Sequence, residues 1–283
     1  MNQLSGCLLI NKKAGVTSRA EVNEVSKILG TKKVGHIGTL DPFATGLLIV
    51  LVGSATKISP FLERHNKTYI ATIALGKKTD SGDLTGNIIE EKPVPKLTIE
   101  KISEVLQSFL GESEQIPPMY SAIKKDGKPL YAYARKGEEV ERKPRKITIY
   151  DIKLITYSDA SITFVAKVSK GTYVRTLGED IAEKLGTVGH LSELERTMID
   201  NFNVKDAIKA EDVSSSKLLS IEKMLKDFPS INVSGEIASK VKNGVPLFLK
   251  CDNEEVLIKD EDGIIAMYKR NENSKYTCLR GLR

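Results

Sequence analysis

Tryptophan is absent from this sequence of 283 residues, and histidine and cysteine occur only three times each. Cys7, Cys251 and Cys278 lie far apart and form no CxxC pair, which argues against a disulfide framework and against a zinc site. The three histidines are not at the spacing of metal ligands either. We therefore expect isolated thiols and no bound metal.

The sequence also lacks the motifs of most cofactor-dependent and nucleophilic enzymes. It contains no P-loop, no GxGxxG after a strand, no HExxH and no GxSxG. The segment TDSGDLTG (79–86) has neither the third-position acid nor the final glutamate of a calcium loop. A reaction catalysed by this chain is thus expected to use no nucleotide cofactor, no metal and no activated serine.

Long apolar segments are missing as well. No run of 18 or more apolar residues is present, and the amino terminus lacks the pattern of a secretory signal, so we expect a cytoplasmic protein without membrane contact. A hydrophobic content of 40% with 28% charged residues is that of a folded globular chain. Its length predicts one large domain and a small one.

Positive charge is concentrated in one segment. The net charge is +6, and residues 124–146 alone hold nine Lys or Arg against four Asp or Glu. Glycines and prolines divide this segment into turns, and Tyr131 and Tyr133 lie within it. From charge alone, two interpretations remain equally open: an exposed arm that contacts phosphates, or a solvated surface loop.

Periodicity predicts an α+β fold with a mixed or antiparallel central sheet and flanking helices. One helix is expected to start with a capping box of Ser18 and Glu21 and to stop at Gly30. Other helices are predicted over 99–111 and 175–186. Strands are predicted over 6–11, 47–52, 68–75, 147–155 and 162–169.

The pattern changes near residue 229. Beyond it, strands are predicted over 245–250, 255–260, 263–269 and 275–280, separated by Asn, Gly, Asp and Glu. We therefore expect a large domain over 1–228 and a small β-rich accessory domain over 229–283.

Asp41 lies in GHIGTLDPFATG (35–46), between the predicted helix and a buried strand. Pro42 favours an extended backbone before it, and the nearby glycines allow turns that present the carboxylate outward. Functional groups often lie on such loops. The alternative is an Asx-turn, in which Asp41 binds only its own backbone. The residues of this loop leave both interpretations open.

Four segments occur in one order: KVGHIGTLDPFATGLL, KTYIATIALGKKTDSGDLTG, QIPPMYSAIKKDGKPLYAYARKG and VSKGTYVRTLGEDIAEKLG. Together they closely resemble the TruB family of tRNA pseudouridine synthases, and the likeness extends from about residue 6 to about residue 197. The resemblance implies the pseudouridine synthase fold and isomerisation of the uridine at position 55, in the T-arm of tRNA. It implies no cofactor and no metal. The segment from about 230 is similar to that family's PUA domain, although more loosely.

The resemblance assigns roles to four residues of one pocket. Asp41 matches the essential aspartate of a reaction that breaks the N1–C1′ bond and rejoins the uracil through C5. It could attack C1′ or remove a proton from C2′, and the sequence does not decide between them. Arg175 matches the arginine that pairs with this aspartate and would keep it ionised. Tyr69 matches the tyrosine that stacks on the target base, and Tyr173 is expected in the same pocket.

Three further residues are assigned to substrate binding by the same resemblance. His36 matches a histidine that fills the space left by the extruded base, so we expect it to position substrate and not to transfer protons. Leu194 matches a leucine near the uracil, although core packing would explain it almost as well. Lys12 matches the lysine of the family's DKPxGxTS segment, but Asn11 and Lys13 replace its usual Asp and Pro.

The resemblance also favours a function for the basic segment. A basic arm (residues 117–146) is expected to close over the T-loop, with Lys124, Lys125 and Lys128 on RNA phosphates. The expected partner is tRNA, without an obligatory protein partner, and the chain is expected to be a monomer. Two other functions stay open at this point: the catalytic subunit of a guide-RNA-dependent pseudouridylase, and a non-catalytic tRNA-binding or tRNA-folding protein.

Overall fold

The protein is described here by a computed structural model, which describes residues 4–283. Its strands are β1 (Gly6–Lys12), β2 (Val34–Ile37), β3 (Thr45–Val52), β4 (Lys67–Leu75), β5 (Lys77–Thr79), β6 (Ile88–Glu91), β7 (Gly111–Gln115), β8 (Lys124–Lys125), β9 (Lys128–Pro129), β10 (Arg145–Tyr157), β11 (Ser161–Val168), β12 (Gly189–Ile199), β13 (Phe202–Asn203), β14 (Ser230–Asn232), β15 (Glu255–Asp260), β16 (Gly263–Arg270) and β17 (Tyr276–Gly281). Its helices are α1 (Ser18–Ile28), α2 (Ser59–Leu62), α3 (Ile99–Gln107), α4 (Leu130–Ala134), α5 (Val174–Lys184), α6 (Ile221–Met224) and α7 (Gly235–Lys242).

A nine-stranded sheet forms the larger part of the molecule. Its main order is β1-β3-β12-β4-β11-β10-β7, with β2 added to β3 and β13 to β12. The β3–β12 pair is parallel and the other pairs are antiparallel. This arrangement confirms the predicted α+β fold with a mixed central sheet.

Strand β12 lies in the middle of this sheet, yet the sequence predicted no strand there. Its side chains alternate between buried and partly exposed positions, and the partly exposed ones are mostly polar. In β12 only about every second residue is buried, and polar residues such as Glu193 and Glu195 stand between the apolar ones. In β3, by contrast, seven of eight residues are buried, so its apolar pattern is much easier to recognise. Tertiary pairing with β4 on one side and β3 on the other decides the matter.

Helices α3 and α5 cover one face of the sheet and complete an apolar core with β4, β10, β11 and β12. Both helices were predicted, although α3 ends at Gln107, four residues before the predicted stop. Helix α5 starts after β11 and a short turn, and its second residue, Arg175, contacts the loop that carries Asp41.

Two local predictions were wrong. The N-cap of α1 is Thr17, whose hydroxyl accepts a hydrogen bond from the Ala20 N–H, whereas Ser18 is the first helical residue and is buried. The expected strand over 245–250 is absent, because only Leu247 pairs, through an isolated bridge to Tyr276. Helix α7 lies just before this segment, and the sequence did not predict that helix.

A second sheet, of order β14-β15-β16-β17, lies in the carboxy-terminal part and packs against α7. Its other face joins an apolar cluster that also contains residues of β1, β3 and α2, among them Leu9 and Phe61 together with Leu257 and Met267. The C-terminal β-rich unit is therefore present and is packed on the large sheet. The domain boundary between 228 and 229 remains a prediction.

No helix within residues 4–283 is both long enough and apolar enough to cross a membrane.

Gly46 should be difficult to replace, because an added Cβ would meet three backbone atoms of Arg196. Its φ is +100°, and a Cβ there would lie 2.4 Å from the Arg196 carbonyl oxygen, because β3 and β12 approach closely at this point. We expect Gly46→Ala to lower the free energy of unfolding by about 3 kcal/mol.

Urea denaturation measures this effect, and Gly15→Ala is the matched control. Gly15 has a φ of +82° but no atom within 4 Å of an added Cβ, so only backbone strain of about 1 kcal/mol is expected there. Equal denaturation midpoints for the two variants would contradict the steric argument.

Candidate active site around Asp41

The loop between β2 and β3 is fixed through its backbone by three buried side chains. The Leu40 N–H donates to Ser18 Oγ at 2.9 Å, and the same hydroxyl donates to the Leu40 carbonyl. Lys12 Nζ donates to the Pro42 carbonyl, and Arg196 Nη2 donates to the Gly38 carbonyl at 2.7 Å. Because the backbone on both sides of Asp41 is held in this way, its side chain projects from a rigid support.

Asp41 and Arg175 form a two-pronged ion pair. Arg175 Nε lies 2.9 Å from Asp41 Oδ2, and Arg175 Nη2 donates to Asp41 Oδ1 at 3.2 Å. The carboxylate therefore faces the guanidinium, which decides against the Asx-turn that the sequence left open. Parallel hydrogen bonds of this kind fix orientation as well as charge. A third of the Asp41 side chain (34%) is exposed, so a substrate can reach the carboxylate.

Arg175 is almost wholly buried and is itself held by two further segments. Its Nη1 donates to the Ser81 carbonyl and its Nη2 to the Tyr120 carbonyl, each at 2.7 Å. A second carboxylate, that of Asp83, lies 3.7 Å from Nη1. The guanidinium thus joins the Asp41 loop, the segment before β6 and the start of the basic arm.

Asp83 is a site residue that the sequence interpretation missed. It is buried, and its Oδ1 accepts hydrogen bonds from the Ser81 hydroxyl, the Thr85 hydroxyl and the Thr85 N–H. The comparison of TDSGDLTG (79–86) with a calcium loop does not point to Asp83. The available signal was the pairing of an aspartate with hydroxyl residues two positions away on each side, which predicts a tight, self-bonded turn.

Burial raises the pKa of Asp41 above that of an ordinary aspartate. The Arg175 guanidinium opposes this rise and so does Lys12, whereas the Asp83 carboxylate adds to it. Arg175 therefore favours the ionised form of the carboxylate against the effect of burial. Arg175 limits an increase in the pKa that removal from water would otherwise make larger.

Apolar side chains form the wall beside this carboxylate. Tyr69 and Phe43 pack against the same apolar cluster that contains Leu40 and Leu194. Tyr69 is only partly buried, which leaves part of its ring available, whereas Leu194 is 7% exposed. Tyr69 and Leu194 thus belong to the apolar cluster that also contains Leu40, the residue before Asp41, and Leu194 is mainly part of the core.

Tyr173 immediately precedes α5 and is half-buried. Burial raises the pKa of its hydroxyl, and Arg175 and Asp41 are both near enough to influence that pKa. The residue therefore lies near the ion pair, and its place in a substrate pocket stays a prediction.

His36 and Lys12 lie on the two strands, β2 and β1, that pair with β3 on the amino-terminal side of the sheet order. His36 is on β2, with a buried Nδ1 that has no hydrogen-bond partner among residues 4–283. Burial lowers its pKa, and Arg196 and Arg19 lower it further, so the ring is held neutral. Lys12 is fully buried and donates to three backbone carbonyls, so the expected contact with substrate does not fit its position. Lys12 supports the loop from below.

Three buried cations form a positively charged floor under the loop: Lys12, Lys67 and Arg196. Arg196 and Lys67 both approach Gly38, and Arg196 also donates to the Leu47 carbonyl. Removal from water lowers the pKa of Lys12 and of Lys67 to about 8. Backbone carbonyls accept hydrogen bonds from all three, which offsets part of the cost of burying charge.

The basic arm forms a hairpin and a short helix. Strands β8 and β9 are joined by Asp126 and Gly127, both with positive φ, as in a tight two-residue turn. Lys124 and Lys128 are exposed on this hairpin, whereas Lys125 donates to the Glu141 carbonyl. The three lysines are therefore surface groups of the arm and do not line the pocket of Asp41.

The arrangement of Asp41, Arg175 and the neighbouring apolar side chains is suited to a reaction in which a single carboxylate acts on one carbon atom of a substrate. Asp41 can stabilise or attack an electron-poor carbon, or take a proton from its neighbour, and a partly exposed aromatic ring lies on the same side of the sheet. Within the part of the chain that the structure describes, no group of three or more His, Cys, Asp or Glu is placed to hold a metal ion.

Comparison with sequence families gives two adjoining matches. A family model described as "TruB family pseudouridylate synthase (N terminal domain)" matches residues 26–174. A second, described as "tRNA pseudouridylate synthase B C-terminal domain", matches residues 175–228. The junction between the two matches falls inside the ion-paired site, directly before Arg175.

Curated relatives are similar over most of their length. The chain is 44% identical over 250 residues to a tRNA pseudouridine synthase B of Syntrophotalea carbinolica, covering 86% of this chain and 82% of that protein. It is 43% identical to a tRNA pseudouridine synthase B of Caldanaerobacter subterraneus, covering 92% and 93%. A chain in the crystal structure of a Cbf5–Nop10–Gar1 complex has a TM-score of 0.77 at 24% identity, covering 99% of this chain and 85% of that one. That last likeness concerns the fold alone.

Proposed function

This chain belongs to the TruB family of pseudouridylate synthases, and on that premise we propose that it isomerises uridine 55 in the T-arm of tRNA to pseudouridine. The observation that supports this most directly is the Asp41–Arg175 ion pair, with a partly exposed carboxylate on the side of the sheet where Tyr69 packs. The enzyme is an isomerase that needs one carboxylate, an aromatic platform and a pocket closed to water.

Asp41 is the proposed catalytic residue, in one of two ways. As a nucleophile it would bond to C1′ while the N1–C1′ bond breaks, and the freed uracil would turn and displace it through C5. As a base it would take the C2′ proton while the N1–C1′ bond breaks, giving a glycal; C5 then bonds to C1′ while the proton returns to C2′. In both routes C5 finally releases its proton and N1, which is freed from C1′, gains one, so the product is an isomer. Water must stay out, because it would hydrolyse the sugar intermediate.

Arg175 and Tyr69 are proposed to support this step. Arg175 holds the carboxylate by two contacts and so aims it at one point. Tyr69 is proposed to stack on the everted uracil, and Tyr173 and Leu194 to line its pocket. His36 is proposed to occupy the space that the base leaves in the RNA, since its ring is neutral and its buried nitrogen is free among residues 4–283.

The partner is proposed to be tRNA alone. The names of the curated relatives support a tRNA substrate. The basic arm and the β-rich unit over 229–283, which we propose to be a PUA-like domain, would supply further RNA contacts. Three properties remain predictions: that the chain works as a monomer, that it needs no protein partner, and that it is located in the cytoplasm. Light scattering of the free and the tRNA-bound protein tests whether it is a monomer.

One assay separates this function from the two alternatives. Purified protein is incubated with an unmodified tRNA transcript and no guide RNA, and pseudouridine is located by carbodiimide-dependent stops in primer extension. We expect one stop, at the T-loop uridine. A need for guide RNA would favour the guide-dependent enzyme, and binding without any stop would favour a non-catalytic protein.

Neutralising the arm lysines should reduce the salt dependence of tRNA binding. Lys124 and Lys128 are exposed and free to meet phosphates, and Lys125 lies between them. In the variant with all three changed to Gln, we expect the slope of log Kd against log salt to fall by about two units. Filter binding between 50 and 300 mM salt, roughly the range in which counterion release dominates, measures the slope.

The matched control changes three exposed lysines elsewhere, Lys217, Lys223 and Lys226, which line a cleft beside β1. Its slope should stay at the wild-type value. An unchanged slope in the arm variant would mean that the arm is merely solvated.

A further inference from the structure

Gln115 stands at the point where the basic arm leaves the sheet and returns to it. It is the last residue of β7, and its partner in the neighbouring strand is Arg145, the first residue of β10. The chain between them, residues 116–144, is therefore a closed excursion whose two ends meet at one pair. Gln115 is 5% exposed, which is unusual for a glutamine on an edge strand.

The side chain of Gln115 binds the backbone of a distant residue twice. Its Nε2 donates to the Tyr173 carbonyl at 3.1 Å, and its Oε1 accepts from the Tyr173 N–H at 2.8 Å. One amide group thus reproduces both hydrogen bonds of a strand pair. Tyr173 precedes the first residue of α5, and its carbonyl also accepts the Leu177 N–H, the first bond of the helix. Gln115 consequently fixes where α5 begins.

The start of α5 is also the position of Arg175. Arg175 follows Tyr173 by two residues. The Arg175 guanidinium holds Asp41 and donates to the Tyr120 carbonyl. The segment 115–120 therefore touches the start of α5 at both of its ends, through Gln115 on Tyr173 and through Tyr120 on Arg175. A displacement at the root of the arm would move the guanidinium relative to the carboxylate. Misplacement by about 1 Å is enough to cost about 100-fold in rate.

We propose that Gln115 is a positioning residue for the isomerisation, which sets Arg175, and through it Asp41, in register with the root of the basic arm. This inference rests on the proposed function. The basic arm then has a second function besides binding RNA. Because its first residues are fixed to the sheet and to α5, they also fix the position of Arg175 relative to Asp41. The side-chain hydrogen bonds of Gln115 go to the backbone of Tyr173 and not to Asp41 or Arg175, so its effect is exerted through that backbone and the side chain of Arg175.

The experiment compares Gln115→Met, which removes both hydrogen bonds at similar volume, with the wild type under single turnover at saturating tRNA. We expect the rate to fall about tenfold to 100-fold, while the Kd for tRNA changes less than about threefold. A wild-type enzyme without activity on tRNA would refute the proposed function itself and would be seen before any variant is made. An unchanged rate in a folded, tRNA-binding Gln115→Met variant would overturn the inference alone.

The control is Gln107→Met. Gln107 also donates from its side chain to a backbone carbonyl, that of Ile152, but on α3 and away from the ion pair. Its rate should equal that of the wild type. Should Gln115→Met fail to fold, Gln115→Glu replaces it, since the carboxylate still accepts the Tyr173 N–H. We expect that variant to lose about fivefold or more in rate, and a wild-type rate in it would overturn the inference.

A double-mutant cycle with Arg175→Gln separates positioning from general support of the fold. If Gln115 acts through Arg175, Gln115→Met should cost less than about threefold in the Arg175→Gln background, because the group that it positions is already gone. A cost as large as in the wild-type background would show that Gln115 acts by another route and would contradict the inference.

Discussion

Asp41→Asn is expected to abolish turnover and to leave tRNA binding within about threefold of the wild type. Asparagine keeps the size of the side chain but cannot bond to C1′ as an anion or accept the C2′ proton, so both proposed routes fail. The rate should fall by roughly 10⁴-fold or more. Binding should persist because the RNA contacts proposed here lie on the arm, the pocket wall and the carboxy-terminal unit.

Release of label from tRNA that carries tritium at uridine C5 measures this rate, since C5 exchanges its hydrogen for the bond to C1′. The matched control is Asp159→Asn, an exposed carboxylate in the turn between β10 and β11, which should keep full activity. A near wild-type rate for Asp41→Asn would remove the catalytic assignment, and with it the argument from the ion pair.

Arg175→Gln should lower the rate by roughly 100-fold at neutral pH and should move the acid limb of the pH–rate profile to higher pH. Asp41 is active when ionised, and its pKa is already raised by burial. Loss of the guanidinium removes the main influence that lowers this pKa, while Asp83 continues to raise it and only Lys12 still lowers it. The pKa therefore rises further, and the ionised fraction is lost at a higher pH than in the wild type.

Single-turnover rates between pH 5 and pH 9 reveal the shift, which should allow part of the lost activity to return as the pH is raised. Arg64→Gln is the control, because Arg64 pairs with Glu255 at the junction of the two sheets and not with the site. An acid limb at the wild-type position in Arg175→Gln would mean that Arg175 does not influence the ionisation of Asp41. The thermal unfolding midpoint of both variants is measured as well, because Arg175 is buried and its replacement could lower the stability of the fold.

Local patterns predicted most of the elements near the site. β3 is so apolar, and α1 and α5 are so regular, that their own residues specify them. Strand β12 and helix α7 were not predicted, each for a different reason. The polar residues of β12 are tolerated because paired strands on both sides satisfy its backbone, and α7 is a short helix whose buried face consists of Ala238 and Val241 alone.

Site residues were predicted unevenly. Asp41 was singled out by its own loop, but its pairing with Arg175 came only from the family resemblance, because 134 residues separate the two in sequence. Asp83 and Gln115 were not found. Each acts through a hydrogen bond to a residue elsewhere in the chain or within a tight turn, and such bonds leave no periodic trace in the sequence.

The sequence by itself determined the class of fold, the loop acid and the family of this protein, because apolar periodicity and turn residues are local properties that survive in the linear order. Only the tertiary structure decided what surrounds the acid. It placed Arg175 between Asp41, Ser81 and Tyr120, put three buried cations beneath the loop and joined the arm root to α5. Those contacts depend on how distant segments meet in a nearly water-free interior, where a hydrogen bond or a charge a few ångströms away sets the pKa and direction of one carboxylate.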